Sequence, residues 1–114
     1  MPYPPRMRRS NIHVLVGVLI SLPLPAQAQD GAVAESGRQV FLELSEPKCS
    51  ICHILADAGA TGEIGPNLDS LKPTEERVQA AVANGSEAMP AYADTLTQEQ
   101  IDAVARYVAT VAGH

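Results

Sequence analysis

The stretch Cys49-Ser50-Ile51-Cys52-His53 has C-x-x-C-H spacing, and it decides how the rest of the chain is interpreted. Two thiols three positions apart lie along one side of a helical turn, so both can form thioethers with the vinyl groups of one porphyrin. The adjacent His53 can then turn its imidazole under the iron as an axial ligand. The motif therefore predicts one covalently attached haem c, held by Cys49 and Cys52 and coordinated by His53.

Three other interpretations of the motif stay open. C-x-x-C is also a thiol–disulfide motif, but that use needs a strand–turn–helix setting, and the flanking residues show no alternating strand pattern. A zinc site needs a fourth soft ligand, and the only other His near the folded part is His114 at the C-terminus. A chance match is the third, although it leaves the export signal and Met89, described below, unexplained.

The first 28 residues have the pattern of a signal peptide. Arg6, Arg8 and Arg9 form a basic head, Ile12 to Leu24 is an uncharged apolar stretch of 13 residues, and Ala26-Gln27-Ala28 is a small-x-small cleavage site. We therefore expect export to the periplasm and cleavage after Ala28. The domains are then residues 1–28, the signal peptide, and residues 29–114, one small domain.

The alternative for this segment is an uncleaved membrane anchor. Its apolar stretch is shorter than the ~20 residues needed to cross a bilayer. Pro23 and Pro25 also interrupt it. We therefore expect no stable membrane insertion after cleavage.

The mature chain is strongly acidic. Residues 29–114 keep five Lys and Arg residues against all 13 Asp and Glu residues, a net charge of −8. This charge makes nucleic acid and anionic membranes poor partners and makes a basic protein face a good one. A chain of this size with one Phe and no Trp also builds only a small apolar core, which a bound haem would complete.

The apolar spacing predicts helices and no sheet. We expect a frayed start from Gln29 to Ala34, then helices over Ser36–Leu44 and Pro73–Asn84. A third helix should follow Thr97, which forms a capping box with Gln100. No stretch alternates in the manner of a strand, so the fold class is all-α, with three to four helices wrapped around one haem.

Met89 is the candidate for the second axial position of the iron. It is the one Met of the mature chain, since Met1 and Met7 lie in the signal peptide. An isolated Met is often core filler. Met89, however, lies in a polar loop before Pro90, far enough beyond His53 to reach the opposite face of a haem.

The mature chain resembles the class I c-type cytochromes over nearly its whole length. The resemblance rests on the haem motif, on small and aromatic helical residues, on one turn and on the Met-Pro pair. These residues are Gly37, Phe41, Cys49, Cys52, His53, Gly65-Pro66-Asn67-Leu68, Met89-Pro90, Val104 and Tyr107.

The resemblance implies roles for several of these positions. The first and last helices should cross at Gly37, with Phe41 and Tyr107 packed at the crossing. The carbonyl of Pro66 should accept the Nδ1–H of His53 and orient the imidazole.

One segment departs from the family pattern. Eight residues separate Phe41 from Cys49, so Ser45-Glu46-Pro47-Lys48 looks like a local insertion. The resemblance therefore does not predict the course of the chain between the first helix and the haem motif. Together with the Ala- and Gly-rich loop after His53, this insertion is similar to the small monohaem cytochromes associated with bacterial sulfite dehydrogenases.

The resemblance implies an electron carrier without catalytic residues. His and Met ligands together saturate the iron and leave no open site. Its partners should be redox proteins: a dehydrogenase as donor and an oxidase or another acceptor. Two alternatives remain: an electron-accepting subunit of a periplasmic dehydrogenase such as sulfite dehydrogenase, and an open-site haem enzyme that acts as a peroxidase or binds gases.

Overall fold

The computed structural model describes residues 2, 3, 5 and 11–114. The basic head Arg6, Arg8 and Arg9 lies outside these residues. Five α-helices and two strands occur in the described part: α1 (Ala26–Gln39), α2 (Cys49–Cys52), β1 (Ile54–Leu55), β2 (Ala60–Thr61), α3 (Leu68–Leu71), α4 (Glu75–Asn84) and α5 (Gln98–Val111). Among the described helices, none combines the length and the apolar character that a bilayer crossing requires.

Helix α5 forms the centre of the core, as its apolar spacing predicts. The Thr97 hydroxyl accepts the Gln100 N–H at 3.2 Å, and the Gln100 side chain accepts the Thr97 N–H at 2.8 Å, so the predicted capping box is confirmed. These two bonds satisfy donors that a helix start otherwise leaves unpaired. One face of the helix is then buried over about two turns: Ile101, Val104, Ala105, Tyr107 and Val108.

Helices α1 and α5 cross at Gly37. A Cβ placed on Gly37 would overlap the carbonyl oxygen of Ala103 and the Cβ of Tyr107, so only glycine allows this approach. Next to the crossing, Phe41 meets Tyr107 edge to face, with ring centroids 6.3 Å apart. This geometry is typical of a favourable aromatic pair. The predicted crossing and its aromatic pair are both present.

The first helix is longer than predicted. It begins at Ala26 and not at Ser36, and the stretch from Gln29 to Ala34 that was expected to be frayed is helical. Ala and Gln are good helix formers, which favours this extension. After Gln39 the chain widens into a π-helical turn, Val40–Leu44, that buries Val40 and Phe41 before the break at Ser45. Such turns accommodate an extra residue.

Helix α4 begins later than predicted. Pro73 is buried ahead of the helix, and Thr74 is the N-cap, its hydroxyl accepting the Arg77 N–H at 3.2 Å. Glu75 and Glu76 occupy the first turn, where carboxylates interact favourably with the helix dipole. The start predicted at Pro73 is therefore wrong by two residues, because Thr74 is the stronger cap.

The expectation of a purely helical fold with three to four helices is correct only in part. Strands β1 and β2 pair antiparallel, with Leu55 opposite Ala60, and Gly59 turns the chain between them at φ +64°. Each strand has two residues, too few for an alternating pattern to appear in the sequence. The extra helices α2 and α3 are single turns, which periodicity also misses.

Two side chains connect these short elements to α5. Tyr107 donates its hydroxyl to Asp57 at 2.6 Å. Asp69 accepts the backbone N–H of Ala56 and that of Gly113, each at 2.8 Å. The loop after the C-x-x-C-H motif is thereby tied to the C-terminal end of the chain.

Candidate haem site

A cavity of about 300 Å³ opens between the C-x-x-C-H motif and the loop that follows α4. Its wall is mainly apolar, with residues from α4 and α5 at the back. The structure brings all five predicted site residues to this one wall: Cys49, Cys52, His53, Pro66 and Met89. They come from three separate segments of the sequence, so the fold is what joins them.

The two cysteines lie on the single turn α2 and are free thiols. The turn is held from its N-terminal side by Ser45, which is buried and whose hydroxyl accepts the Cys49 N–H at 3.2 Å. The same oxygen lies 3.3 Å from the Cys49 sulfur. Burial raises the pKa of the Cys49 thiol, and the Ser45 hydrogen bond opposes this effect. Both sulfurs are thus offered to the cavity from one helical turn.

His53 follows directly after α2, and its ring is oriented by the next loop. Its Nδ1 donates to the carbonyl of Pro66 at 2.8 Å. Because a carbonyl can only accept, Nδ1 carries the proton and Nε2 is the nitrogen able to bind a metal. Gly65 brings this loop in close: its N–H donates to the Cys52 carbonyl at 2.7 Å, and a Cβ there would lie 2.7 Å from His53 Cε1.

Met89 reaches the cavity from a tight loop after α4. The backbones of Ser86 and Met89 exchange two hydrogen bonds, of 3.1 and 2.8 Å. Gly85, at φ +73°, lets the chain turn here, since a Cβ would come within 2.7 Å of the Met89 carbonyl. The Met89 side chain is partly buried against the core. Its thioether is therefore held at the wall by a defined turn.

Tyr92 is a residue of the cavity wall that the sequence did not single out. It is 4% exposed, and its hydroxyl donates to the Pro47 carbonyl at 2.6 Å. Burial is the main reason that its pKa is raised to about 12. The signal available in the sequence was its position, an aromatic residue three places after Met89 in a polar loop.

The donor set and the wall fit a haem c. Two thiols, a histidine with a free Nε2 and a thioether are the groups that attach and coordinate such a haem. The apolar wall suits the porphyrin ring, and two cations of the wall, Lys48 and Arg77, suit its propionates. His114, the only other imidazole of the mature chain, is not part of this wall and lies exposed at the C-terminus.

Comparison with known proteins agrees with this chemistry. Residues 32–108 match the family described as cytochrome C oxidase, cbb3-type, subunit III. The crystal structure of the c-type cytochrome SorU from Sinorhizobium meliloti is similar, with a TM-score of 0.71 and 59% sequence identity, covering 73% of this chain and 94% of that chain.

Two further relatives extend the comparison. Cytochrome c6 of Leptolyngbya boryana is 35% identical over 81 residues, 68% of this chain and 91% of that protein. The quinohemoprotein alcohol dehydrogenase ADH-IIG of Pseudomonas putida is 29% identical over 87 residues, and there the match spans only 11% of the relative's length. The predicted resemblance to c-type cytochromes and the predicted haem c are confirmed, and the chain belongs to the cytochrome c family as a c-type haem electron-transfer protein.

Proposed function

We propose that this protein is an exported carrier of single electrons whose haem is attached to Cys49 and Cys52 and coordinated by His53 and Met89. The observation that carries the proposal is the meeting of these four side chains at one mainly apolar cavity. When bound, the haem supplies an iron that accepts and releases one electron. The protein supplies the ligands, their orientation and the exclusion of water.

The role of His53 follows from its partner. The hydrogen bond to Pro66 fixes which nitrogen is protonated and how the ring is turned, so Nε2 is ready to bind without reorganisation. Gly65 packs against the ring and prevents it from swinging toward that loop. A histidine held in this way would need little reorganisation when a bound haem gains or loses an electron, which favours rapid electron transfer.

The role of Met89 distinguishes a carrier from an open-site enzyme. A thioether held by the Ser86–Met89 turn would coordinate the iron of a bound haem in place of a peroxide or a gas. A peroxidase or gas-binding protein would need this ligand to be absent or easily displaced. The packing of Met89 against the core supports the carrier.

The N-terminal segment supports export. The apolar residues from Ile12 to Leu24 stay exposed, with Leu15 and Leu19 at 95% and 98% exposure, so they contribute nothing to the core. This exposure is expected of a segment that is not part of the folded domain. We propose a signal peptide over residues 1–28, cleavage after Ala28, and a periplasmic domain over residues 29–114 whose first helix then starts near Gln29.

The charge of the mature chain supports a redox partner with a basic or neutral face. With a net charge of −8 and five Lys and Arg residues, the mature chain cannot surround its cavity with a basic ring. Complementary charge speeds the encounter of small carriers, so a partner with a basic or neutral face suits this surface. A donor dehydrogenase and an acceptor such as an oxidase are the proposed partners. A second candidate function, the electron-accepting haem subunit of a dehydrogenase such as sulfite dehydrogenase, is favoured by the insertion Ser45–Lys48.

The test of the site is a Met89→Leu variant of the holoprotein. Leu keeps most of the apolar volume but cannot bind iron, so the fold should survive. We expect the haem to stay attached after acid–acetone extraction, the sulfur-to-iron charge-transfer band to disappear, the reduction potential to fall and added imidazole to bind. His114→Ala is the matched control and should change none of these properties.

Three outcomes would contradict the proposal. A Met89→Leu protein that keeps a sulfur-type six-coordinate spectrum would exclude Met89 as a ligand, and a changed His114→Ala spectrum would point to the terminal imidazole. Haem that acid–acetone removes would exclude the thioethers to Cys49 and Cys52. N-terminal sequencing of the purified protein should begin at Gln29.

A further inference from the structure

We infer that Tyr92 is a positioning residue for Met89, and that it acts through the hydrogen bond from its hydroxyl to the Pro47 carbonyl. This inference rests on the proposed ligation by Met89. It gives a use to the insertion Ser45–Lys48, which the haem chemistry alone leaves without one. The bond joins two segments 45 residues apart, and both line the cavity.

Tyr92 is fixed at three points. Its N–H donates to the Val82 carbonyl near the end of α4 at 2.8 Å, and its own carbonyl accepts the N–H groups of Thr95 and Leu96 at 3.0 and 2.8 Å. Its hydroxyl makes the third connection, to Pro47 at 2.6 Å. The backbone bonds hold Tyr92 to its own half of the fold. The hydroxyl is therefore its hydrogen-bonded connection to the segment that leads into the haem motif.

The segment that accepts this bond is itself anchored to the haem motif. Ser45 is 1% exposed and accepts the Cys49 N–H, so the chain from Ser45 to Lys48 is held against the first cysteine. Pro47 and Lys48 line the same cavity as Met89 and Tyr92. The hydroxyl of Tyr92 thus connects the Met89 loop to the thioether side of the site.

Displacement of Met89 should break this connection. Met89 and Tyr92 are three residues apart in one loop and line the same cavity, so we expect a movement that withdraws the thioether to shift the tyrosine ring as well. With the hydrogen bond present, the open form is less populated, and an added ligand that binds only the open form has a lower apparent affinity. Loss of one buried hydrogen bond corresponds to about a three- to tenfold change in such an equilibrium.

A merely structural interpretation predicts a different result. Buried tyrosines usually find a hydrogen-bond partner, and loss of that hydrogen bond lowers global stability wherever the tyrosine lies in the fold. Tyr107 offers a matched comparison, because it too is buried and donates a 2.6 Å hydrogen bond, in its case to Asp57. Tyr107 does not line the cavity. The two tyrosines therefore separate an effect on Met89 from a general loosening of the fold.

The experiment titrates the oxidised holoproteins Tyr92→Phe and Tyr107→Phe with imidazole and follows the loss of the sulfur-to-iron charge-transfer band. We expect Tyr92→Phe to keep the band without imidazole and to bind imidazole about three- to tenfold more tightly than the unmodified protein. Tyr107→Phe should lose stability toward denaturant while its imidazole affinity stays unchanged.

Two results would overturn the inference: an unchanged imidazole affinity in Tyr92→Phe, or an equal increase in both variants. The ligand assignment is tested separately by Met89→Leu. If that variant showed no gain in imidazole affinity, the assignment and this inference would both fail, whereas a gain there beside an unchanged Tyr92→Phe would remove the inference alone.

Discussion

Replacement of Gly37 by Ala tests whether the close crossing of α1 and α5 holds the fold together. The new methyl group would overlap the Ala103 carbonyl and the Tyr107 Cβ. Neither contact is the flexible end of a side chain, so the helices must move apart. Over-packing of this kind costs about 1–3 kcal/mol. Because neither the Ala103 carbonyl nor the Tyr107 Cβ can rotate away, Gly37→Ala should cost ~3 kcal/mol, the upper end of this range.

The same substitution also has a favourable effect. Ala in a helix interior is better than Gly by about 1 kcal/mol. The net loss should therefore be about 2 kcal/mol, which lowers the unfolding temperature of a domain this small by roughly 8–16 °C. Guanidinium unfolding of the holoprotein, followed by circular dichroism, measures the loss of stability directly.

Gly31→Ala is the matched control, since Gly31 lies on the same helix and a Cβ built there has no neighbour within 4 Å beyond the backbone of its own helix. It should be neutral or should stabilise by up to ~1 kcal/mol, because it gains helix propensity without a clash. A Gly37→Ala protein as stable as Gly31→Ala would refute the role of the crossing.

Three further predictions concern acid stability, the proximal loop and the partner. Two backbone hydrogen bonds lower the pKa of the Asp69 carboxyl, the larger effect coming from the Gly113 N–H and the smaller from the Ala56 N–H. Because the folded pKa is depressed, the stability that these bonds contribute is present above the unfolded pKa. It is lost as pH falls through the folded pKa. Asp69→Asn should therefore be less stable at neutral pH, and denaturant unfolding should show this difference shrinking below about pH 4; a difference that is constant with pH would exclude the linkage. Gly65→Ala would press against His53, with Cε1 only 2.7 Å from the new Cβ, and should shift the reduction potential in voltammetry while the haem stays attached; an unchanged potential would show that the loop yields freely. At a net charge of −8, stopped-flow electron transfer with a basic partner should slow several-fold between low salt and 0.1 M, where the Debye length is ~10 Å, and a rate independent of salt would indicate an uncharged docking surface.

The sequence predicts well those features that depend on residues close together in the chain. The Thr97–Gln100 capping box lies within four residues, and the buried stripe of α5 repeats at the helical period, so both are read directly from the chain. The haem motif is equally local. The crossing at Gly37 and the Pro66 contact are long-range, and they were expected only because the chain resembles a known family.

The features that the sequence misses depend on contacts between distant segments. The pairing of Leu55 with Ala60 involves strands too short for a pattern, and it forms because Gly59 turns the chain between them. The Tyr92 hydrogen bond depends on where Pro47 lies in space, which no spacing along the chain encodes. The meeting of Met89 with His53 at one wall could be expected, whereas the turn that holds Met89 there could not.

The crossing of the first and last helices also has a consequence for the order of events during biogenesis. Gly37 and Tyr107 are roughly 70 residues apart, so their contact closes a loop that spans most of the domain. A chain that is synthesised from its N-terminus cannot form this contact until its last helix is available. During that interval the thiols of Cys49 and Cys52 emerge on an open chain, before the packing that later encloses them. The late pairing of the chain ends thus leaves a period in which the two thiols are accessible for modification.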